Sequence, residues 1–299
     1  MSTIFRSPEA RARVEAWHER FRAKLATPVT SRTVPTGFGE THVLVGGPAD
    51  APPLVLLHGA MASSAHVLGE LEPLMRDFRV HAVDVLGQSV KSADVRLRVD
   101  GDEYGRWLKE VFDGLGLARA HVVGVSWGGF VAVRLAALDG ARIERLALLV
   151  PAGLVKTPPW LGFTRMGWPM LKYRLFPSEA RKREFISNLL TTTTDDWLPY
   201  LGEAFDAYLL DMRVPMLARE PELAGFHAPT LVVAADDDAS FPGDAVLARA
   251  KALFPGLAAT ELLTGCKHSP PTTPEFRAWL SGRLAAFFSE SGARAVTAA

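Results

Sequence analysis

A sharp turn between two apolar runs constrains the fold of this chain more than any other feature. The pentapeptide GVSWG at 124–128 follows an apolar run at 121–123 and precedes another at 130–136. This order predicts a buried strand, a turn with Ser126 at its tip, and a helix. A serine there has a strained backbone, and side chains at Gly124 and Gly128 would collide with the neighbouring strand and helix. The pattern therefore predicts a bare serine hydroxyl at the carboxyl edge of a sheet.

The partners that such a serine needs follow it along the chain. An apolar run at 230–235 ends in Asp236-Asp237-Asp238, and a second run at 258–263 precedes His268. The pentapeptide alone arises by chance too often to define a site. Serine, acid and histidine, each after a strand, is the chain order of one triad-bearing fold. The order predicts Ser126 as a nucleophile and His268 as its general base.

Two backbone N–H groups are expected to stabilise an oxyanion beside this serine. The apolar run 53–57 ends at His58, and Gly59 then lets the backbone approach a ligand closely. The N–H of Ala60 would point at the oxyanion, together with the N–H of Trp127 at the helix start. We assign His58 to the structure of this loop.

These motifs together resemble the α/β-hydrolase-fold enzymes of the carboxylesterase type over about residues 52–290. The run VDVLGQS at 83–89 is similar to a loop of these enzymes, although Gln88 replaces its second glycine, so Asp84 is given a structural role only. The resemblance implies an α/β fold with a mostly parallel, doubly wound sheet and a helical cap inserted after the sixth strand. It also implies a serine hydrolase that cleaves carboxylic esters through an acyl-enzyme intermediate, with no metal and no organic cofactor.

Among the three consecutive acids, Asp238 is the predicted triad acid. Members of the family commonly end this strand with glycine, two variable residues and the acid, followed later by a proline that opens a helix. Placing Ala235 at the glycine position puts the acid at Asp238 and the proline at Pro242. Asp237 stays the rival, because the loop could slip by one residue.

Apolar runs and helical spacing predict alternating strands and helices. Strands are predicted at 41–46, 53–58, 79–84, 120–125, 145–150, 230–235 and 258–263. Helices are predicted at 7–25, 64–77, 102–116, 127–139, 242–254 and 273–288. The segment 153–228 has no apolar strand run. We therefore predict three units: an N-terminal helical extension (1–30), a hydrolase core (31–152 and 229–299) and a helical cap (153–228).

The predicted cap is rich in aromatic residues and methionine. It holds eleven of the 27 aromatic residues and four of the seven methionines. We expect most of them to form the core of the cap and the surplus to line an apolar pocket. This composition favours a small-molecule ester with a small to medium apolar acyl group over charged or peptide substrates.

Charge and cysteine content limit the other partners. The chain has 33 lysines and arginines and 33 aspartates and glutamates. This charge balance does not indicate binding to nucleic acid or to an anionic membrane. The basic run 181–183 is interpreted as a solvated helix face. The single cysteine, Cys266, excludes an internal disulfide and suits a cytoplasmic location. No apolar run reaches transmembrane length, and we expect a monomer or homodimer without a membrane partner.

Other functions of the same fold stay open. The triad could hydrolyse a carbon–carbon bond, a thioester, a lactone, an amide or an N-terminal peptide, and a non-catalytic ligand sensor is a further alternative. Two departures from the family pattern favour the sensor alternative: Ala235 and Lys267 stand at positions where members of the family commonly have glycine. Lys267 either points to solvent or lowers the pKa of His268.

Overall fold

Eight strands form one sheet in the computed structural model, which describes residues 4–290. They are β1 (Val29–Val34), β2 (Thr41–Gly46), β3 (Pro53–Leu57), β4 (Arg79–Val83), β5 (Ala120–Val125), β6 (Ile143–Leu149), β7 (Thr230–Ala235) and β8 (Leu257–Leu263). Their order across the sheet is β1-β2-β4-β3-β5-β6-β7-β8. The first two strands pair antiparallel and the other six are parallel to one another.

Eleven α-helices accompany these strands within the described residues. They are α1 (Pro8–Ala23), α2 (Ser64–Glu70), α3 (Glu103–Leu115), α4 (Trp127–Asp139), α5 (Pro159–Gly162), α6 (Trp168–Leu175), α7 (Glu179–Ser187), α8 (Trp197–Ala207), α9 (Glu220–Leu223), α10 (Gly243–Leu253) and α11 (Pro274–Ser289). A π-helical turn, Phe163–Gly167, joins α5 to α6. None of these helices is long and apolar enough to cross a membrane.

Both faces of the sheet are buried, because successive residues of a strand point to opposite sides. On one face Val122 of β5 belongs to a core that includes Trp107 of α3 and Phe130 of α4. On the other face Val123 packs in a second core with Leu68 of α2 and Leu284 of α11. Helices therefore cover both faces of a mostly parallel sheet, and the predicted doubly wound architecture is confirmed.

The differences from the predicted elements have local causes. Strand β1 was not predicted, because its sequence VTSRTV lies at the sheet edge with most side chains exposed, and so it lacks an apolar signal. The helix predicted over 64–77 is split after Glu70, and a short 3-10 helix with Pro73 in its first turn follows it.

A third core holds the N-terminal helix against the segment between β6 and β7. Val14 of α1 packs in it with Phe185 of α7 and Tyr200 of α8. The N-terminal helix is thus packed on the body of the protein. The segment between β6 and β7 contains α5 to α9 and no strand among the described residues.

The expectation for the aromatic residues of this segment is wrong for many of them. Five of the eleven are buried, and four are exposed: Trp160, Phe163, Trp168 and Phe176. Of the eleven, Trp197 alone lines the large apolar cavity described below. Composition indicates how much apolar surface a segment carries, but it does not indicate which side of a helix carries it.

Candidate active site

The turn after β5 holds Ser126 in a backbone conformation that few residues adopt. Its φ is 49° and its ψ is −111°, and its N–H donates to the carbonyl of Leu149 at 2.9 Å. A Cβ on Gly124 would lie 2.6 Å from the carbonyl oxygen of Gly128, and a Cβ on Gly128 would lie 2.3 Å from that of Leu57. The two glycines are therefore sterically required, and the surrounding core maintains the strained serine.

His268 and Asp238 continue a hydrogen-bonded chain that starts at the serine hydroxyl. The Oγ of Ser126 lies 2.8 Å from Nε2 of His268, and Nδ1 of that ring lies 2.8 Å from Oδ2 of Asp238. Since a carboxylate can only accept, the Nδ1–H donates to Asp238 and leaves Nε2 free to accept the serine proton. The structure thus brings together the three residues predicted as a triad.

Two opposing effects set the pKa of the His268 imidazole. Burial favours the neutral ring, but the Asp238 carboxylate outweighs it, so the pKa is raised above its ordinary value of 6.5. The side chain of Asp238 is itself fully buried. Its Oδ1 accepts from the N–H groups of Ser240 at 2.7 Å and Phe241 at 3.0 Å, which holds the carboxylate toward the ring.

The two neighbouring acids point elsewhere. Asp237 forms an ion pair with Arg165 at 2.7 Å. Asp236 accepts from the N–H of Cys266 at 3.2 Å. The geometry therefore favours Asp238 over its rival Asp237, although the catalytic role of either residue stays a prediction.

The loop after β3 brings its backbone close to Ser126. A Cβ built on Gly59 would lie 3.3 Å from the Cβ of Ser126, so Ala60 follows directly after the point of contact. Trp127 is the first residue of α4, where the N–H has no intrahelical acceptor. The predicted oxyanion donors thus lie on the two backbone segments that flank the serine.

Tyr200 of α8 fixes this loop and was missed by sequence reasoning. Its hydroxyl donates to the carbonyl of Met61, a residue with a positive φ of 55°. The contact joins residues 139 apart in the chain, and the aromatic richness of the segment was its only sequence signal.

His58 and Asp84 form hydrogen bonds that hold the loop after β3 and the start of α2, in agreement with their predicted structural roles. His58 accepts from the N–H of Val85 at 2.9 Å through Nε2, so its Nδ1–H donates to the carbonyl of Gly59 at 2.7 Å. Burial lowers the pKa of His58 and keeps the ring neutral. The buried carboxylate of Asp84 accepts from the backbone N–H and the hydroxyl of Ser64, at 2.9 and 2.6 Å.

Asp84 also belongs to a group of side chains whose composition could hold a metal ion. His18 and His42 are buried beside it, with ligand atoms within 4.8 Å of one another. The carboxylate already accepts from Ser64, Ser89 and, at 2.6 Å, Nδ1 of His42. We interpret the group as a hydrogen-bonded network that ties α1 and β2 to the loop after β4.

The loop that carries His268 is held by the segment between β6 and β7. Trp197 Nε1 donates to the hydroxyl of Ser269 at 3.1 Å, and Thr191 donates to the carbonyl of Ser269 at 2.8 Å through its hydroxyl. Lys267 donates its ammonium to the carbonyl of Ser187 at 2.7 Å. The expectation that Lys267 points to solvent is not met, because its side chain has a protein partner. Burial and Asp238, not Lys267, shift the pKa of His268.

A cavity of about 340 Å³ opens beside the serine and histidine. Its wall is mainly apolar and includes, from the segment between β6 and β7, Leu189, Leu190, Trp197, Leu201 and Pro215. The charged side chains in the wall, Glu70 and Arg277, form an ion pair with each other at 2.7 Å. Next to them His66 stacks on Trp197 with the ring centroids 3.7 Å apart.

Comparison with known proteins assigns the family. The sequence pattern of the alpha/beta hydrolase fold family matches residues 52–187. Carboxylesterase YbfK of Bacillus subtilis (strain 168) is 30% identical over 249 residues, which cover 79% of this chain and 80% of that protein.

Solved structures show the same fold. Carboxylesterase CesB (YbfK) from Bacillus subtilis matches with a TM-score of 0.79 at 24% identity, over 94% of this chain and 99% of that one. Naproxen esterase (carboxylesterase NP) from the same organism matches with a TM-score of 0.74 at 24% identity, over 94% and 98% of the two chains. The chain therefore belongs to the alpha/beta hydrolase fold family, and it is a hydrolase of the carboxylesterase type.

Proposed function

We propose that this protein hydrolyses carboxylic esters with small to medium apolar acyl groups through an acyl-enzyme intermediate on Ser126. The observation that carries the proposal is the hydrogen-bonded chain from Ser126 through His268 to Asp238 at the wall of an apolar cavity. The 30% identical relative named a carboxylesterase supports the ester bond as the target.

In this mechanism His268 moves one proton twice. Its Nε2 takes the proton of Ser126 as the hydroxyl attacks the ester carbonyl, and it then delivers that proton to the departing alcohol. Asp238 keeps Nδ1 protonated and stabilises the imidazolium that forms between the two transfers. Water then attacks the acyl-enzyme with the same two proton transfers through His268, which releases the carboxylic acid and restores the Ser126 hydroxyl.

The tetrahedral oxyanion would be stabilised by the N–H groups of Ala60 and Trp127. The N–H of Trp127 lies at the N-terminus of α4, where the helix dipole also favours negative charge. Removing one such donor costs about 3 to 4 kcal/mol of transition-state stabilisation. Tyr200 acts as a positioning residue in this scheme, because its bond to Met61 fixes the loop that carries Ala60.

The cavity wall supports the choice of substrate. An apolar acyl chain removes its own surface and that of the wall from water, at roughly 25 cal/mol per Å². Glu70 and Arg277 are paired with each other and offer no free charge to an ionic substrate. We assign residues 153–228 as the cap over this cavity, residues 31–152 and 229–290 as the hydrolase core, and residues 4–30 as an N-terminal extension; residues 1–3 and 291–299 of the predicted units lie outside the described residues. A cytoplasmic location and a monomeric or homodimeric state stay predictions.

A panel of esters tests the proposal. We expect kcat/KM to be highest for p-nitrophenyl butyrate or octanoate, and lower by at least tenfold for an aminoacyl-proline substrate. A preference of tenfold or more for the aminoacyl-proline substrate would assign the protein to the peptidases instead.

Labelling by a fluorophosphonate probe separates an enzyme from a ligand sensor. The wild type should be labelled, and the Ser126→Ala variant, which is the matched control, should not. An unlabelled wild type that also lacks turnover on every ester would favour the sensor.

A further inference from the structure

An apolar stripe on the outer side of one helix has no partner within the described residues. The helical run 159–175, formed by α5, the π-helical turn and α6, exposes five large apolar side chains to between 41 and 69%. These residues form the outer stripe: Trp160, Phe163, Trp168, Leu171 and Leu175. Successive members of the stripe are three to five residues apart. The five-residue step, from Phe163 to Trp168, spans the π-helical turn, which has more residues per turn than an α-helix, so all five side chains lie on one side of the run. The rings of Phe163 and Trp168 lie 6.3 Å apart.

The opposite side of the same run already faces the protein. Met166 and Met170 are partly buried against the third core, and Pro169 is buried. The run is thus apolar on both sides, which is the pattern of a helix that is covered on both sides. Exposed apolar patches of this kind mark surfaces that bind a partner or a membrane.

The segment that carries the outer stripe has an excess of positive charge. The segment 153–187 contains seven lysines and arginines against two glutamates, a net charge of +5, whereas the whole chain has a net charge of zero. Four of these cations are exposed and have no carboxylate partner within residues 4–290: Lys156, Arg174, Arg181 and Arg183. The charge balance of the whole chain therefore conceals a local basic surface.

We propose that the outer stripe and these four cations bind peripherally to an anionic lipid surface. Tryptophan and phenylalanine are favoured at the boundary between lipid headgroups and acyl chains, and lysine and arginine beside them attract anionic headgroups. A second copy of this chain fits less well, because a two-fold interface would place the same basic patch against itself. The binding is peripheral, since no helix of the described chain spans a bilayer.

The lipid-binding surface is linked to the loop at the cavity. Arg165 of the same run pairs with Asp237 at 2.7 Å, and Thr157 donates to the carbonyl of Ser240. Ser240 and Phe241 line the cavity. Docking would therefore bring the cavity close to a layer in which apolar molecules concentrate. The proposal does not rest on the reaction at Ser126, and binding can be measured without turnover.

Vesicle flotation tests the proposal with the full-length protein. We expect the protein to float with phosphatidylcholine vesicles that contain phosphatidylglycerol, to bind pure phosphatidylcholine much less, and to be released by high salt. The double variant Arg174→Gln/Arg183→Gln should weaken binding roughly 30-fold. The double variant Trp160→Ser/Trp168→Ser should weaken it by about tenfold or more.

Matched variants elsewhere on the surface serve as controls. Arg32→Gln/Arg119→Gln removes two exposed cations, one on β1 and one directly before β5, and Trp279→Ser removes a tryptophan that is 45% exposed on α11. Both controls should bind vesicles like the wild type, and all variants should unfold at the wild-type temperature.

Three results would overturn the proposal. The first is a wild type that binds neither vesicle, and the second is a control that loses as much binding as the stripe variants. The third is a wild type that forms dimers in place of vesicle complexes, with the dimers lost on Trp160→Ser/Trp168→Ser, which would assign the stripe to self-association.

Discussion

Replacing Asp238 by asparagine gives the sharpest test of the proposed triad. Oδ1 of Asp238 accepts two backbone N–H groups, from Ser240 and Phe241. An asparagine keeps those bonds only if its amide oxygen takes the Oδ1 position, which turns its NH₂ group toward Nδ1 of His268. Because an NH₂ group donates, Nδ1 would have to accept, and the ring proton would move to Nε2. Nε2 could then no longer accept the proton of Ser126.

The size of the effect follows from this change of tautomer. The same substitution in a serine-protease triad lowers kcat by about 10⁴, which corresponds to about 5.4 kcal/mol of activation free energy. We expect a loss of that order for Asp238→Asn with p-nitrophenyl butyrate. KM should change little, because the Asp238 side chain is fully buried behind the ring. Folding should also be preserved, since both backbone bonds have an isosteric acceptor.

The neighbouring acids supply matched controls in the same assay. Asp237→Asn removes an ion pair with Arg165 whose side chains are 41 and 43% exposed, and such a pair contributes less than about 1 kcal/mol. Asp236→Asn keeps an acceptor for the N–H of Cys266. Both variants should stay within about fivefold of the wild-type kcat, the factor to which about 1 kcal/mol corresponds. An Asp238→Asn enzyme with more than a tenth of wild-type kcat, or a crippled Asp237→Asn enzyme, would refute the reasoning.

Three further variants or conditions have defined outcomes. Ser126→Ala should lower kcat by about 10⁴ to 10⁶ with an unchanged circular dichroism spectrum, and activity above a tenth of wild type would exclude the nucleophile. The acidic limb of kcat/KM should lie above pH 6.5, because the pKa of His268 is raised and its protonated ring cannot accept the serine proton. A limb below that pH would contradict the assignment. Asp84→Ala should lower the free energy of unfolding by about 3 to 5 kcal/mol in urea denaturation, since it leaves buried donors of Ser64 and His42 without an acceptor. A loss under about 1 kcal/mol would show that the network is not needed for stability.

The parts of the site that sequence could predict depend on local backbone requirements. The strand before Ser126 and the helix after it follow from apolar runs. The glycines on either side follow from steric contacts of 2.6 and 2.3 Å that no side chain could tolerate. Chain order then placed an acid and a histidine at the same edge of the sheet. These signals act over a few residues each, so a single sequence contains them.

The contacts that position the loops are not predictable in this way. Tyr200 reaches Met61 across 139 residues, and Lys267 reaches Ser187 across 80. Each uses a backbone carbonyl as acceptor, which leaves no mark on the sequence of the accepting residue. The exposed face of the run 159–175 escaped prediction for a related reason, because an apolar residue has the same identity whether it faces the core or the solvent.

The serine and the histidine of the proposed triad depend on different parts of the molecule. Ser126 is held by the strained turn between β5 and α4, where both cores of the sheet enclose the backbone. His268 lies on a loop whose neighbour Ser269 is held by Thr191 and Trp197 of the helical segment. Local opening of that segment would release the histidine loop while the serine turn stays folded, because parts of a protein open with different free energies. Activity should therefore be lost at lower denaturant concentration than the fold of the sheet, and the difference measures how strongly the helical segment holds the histidine.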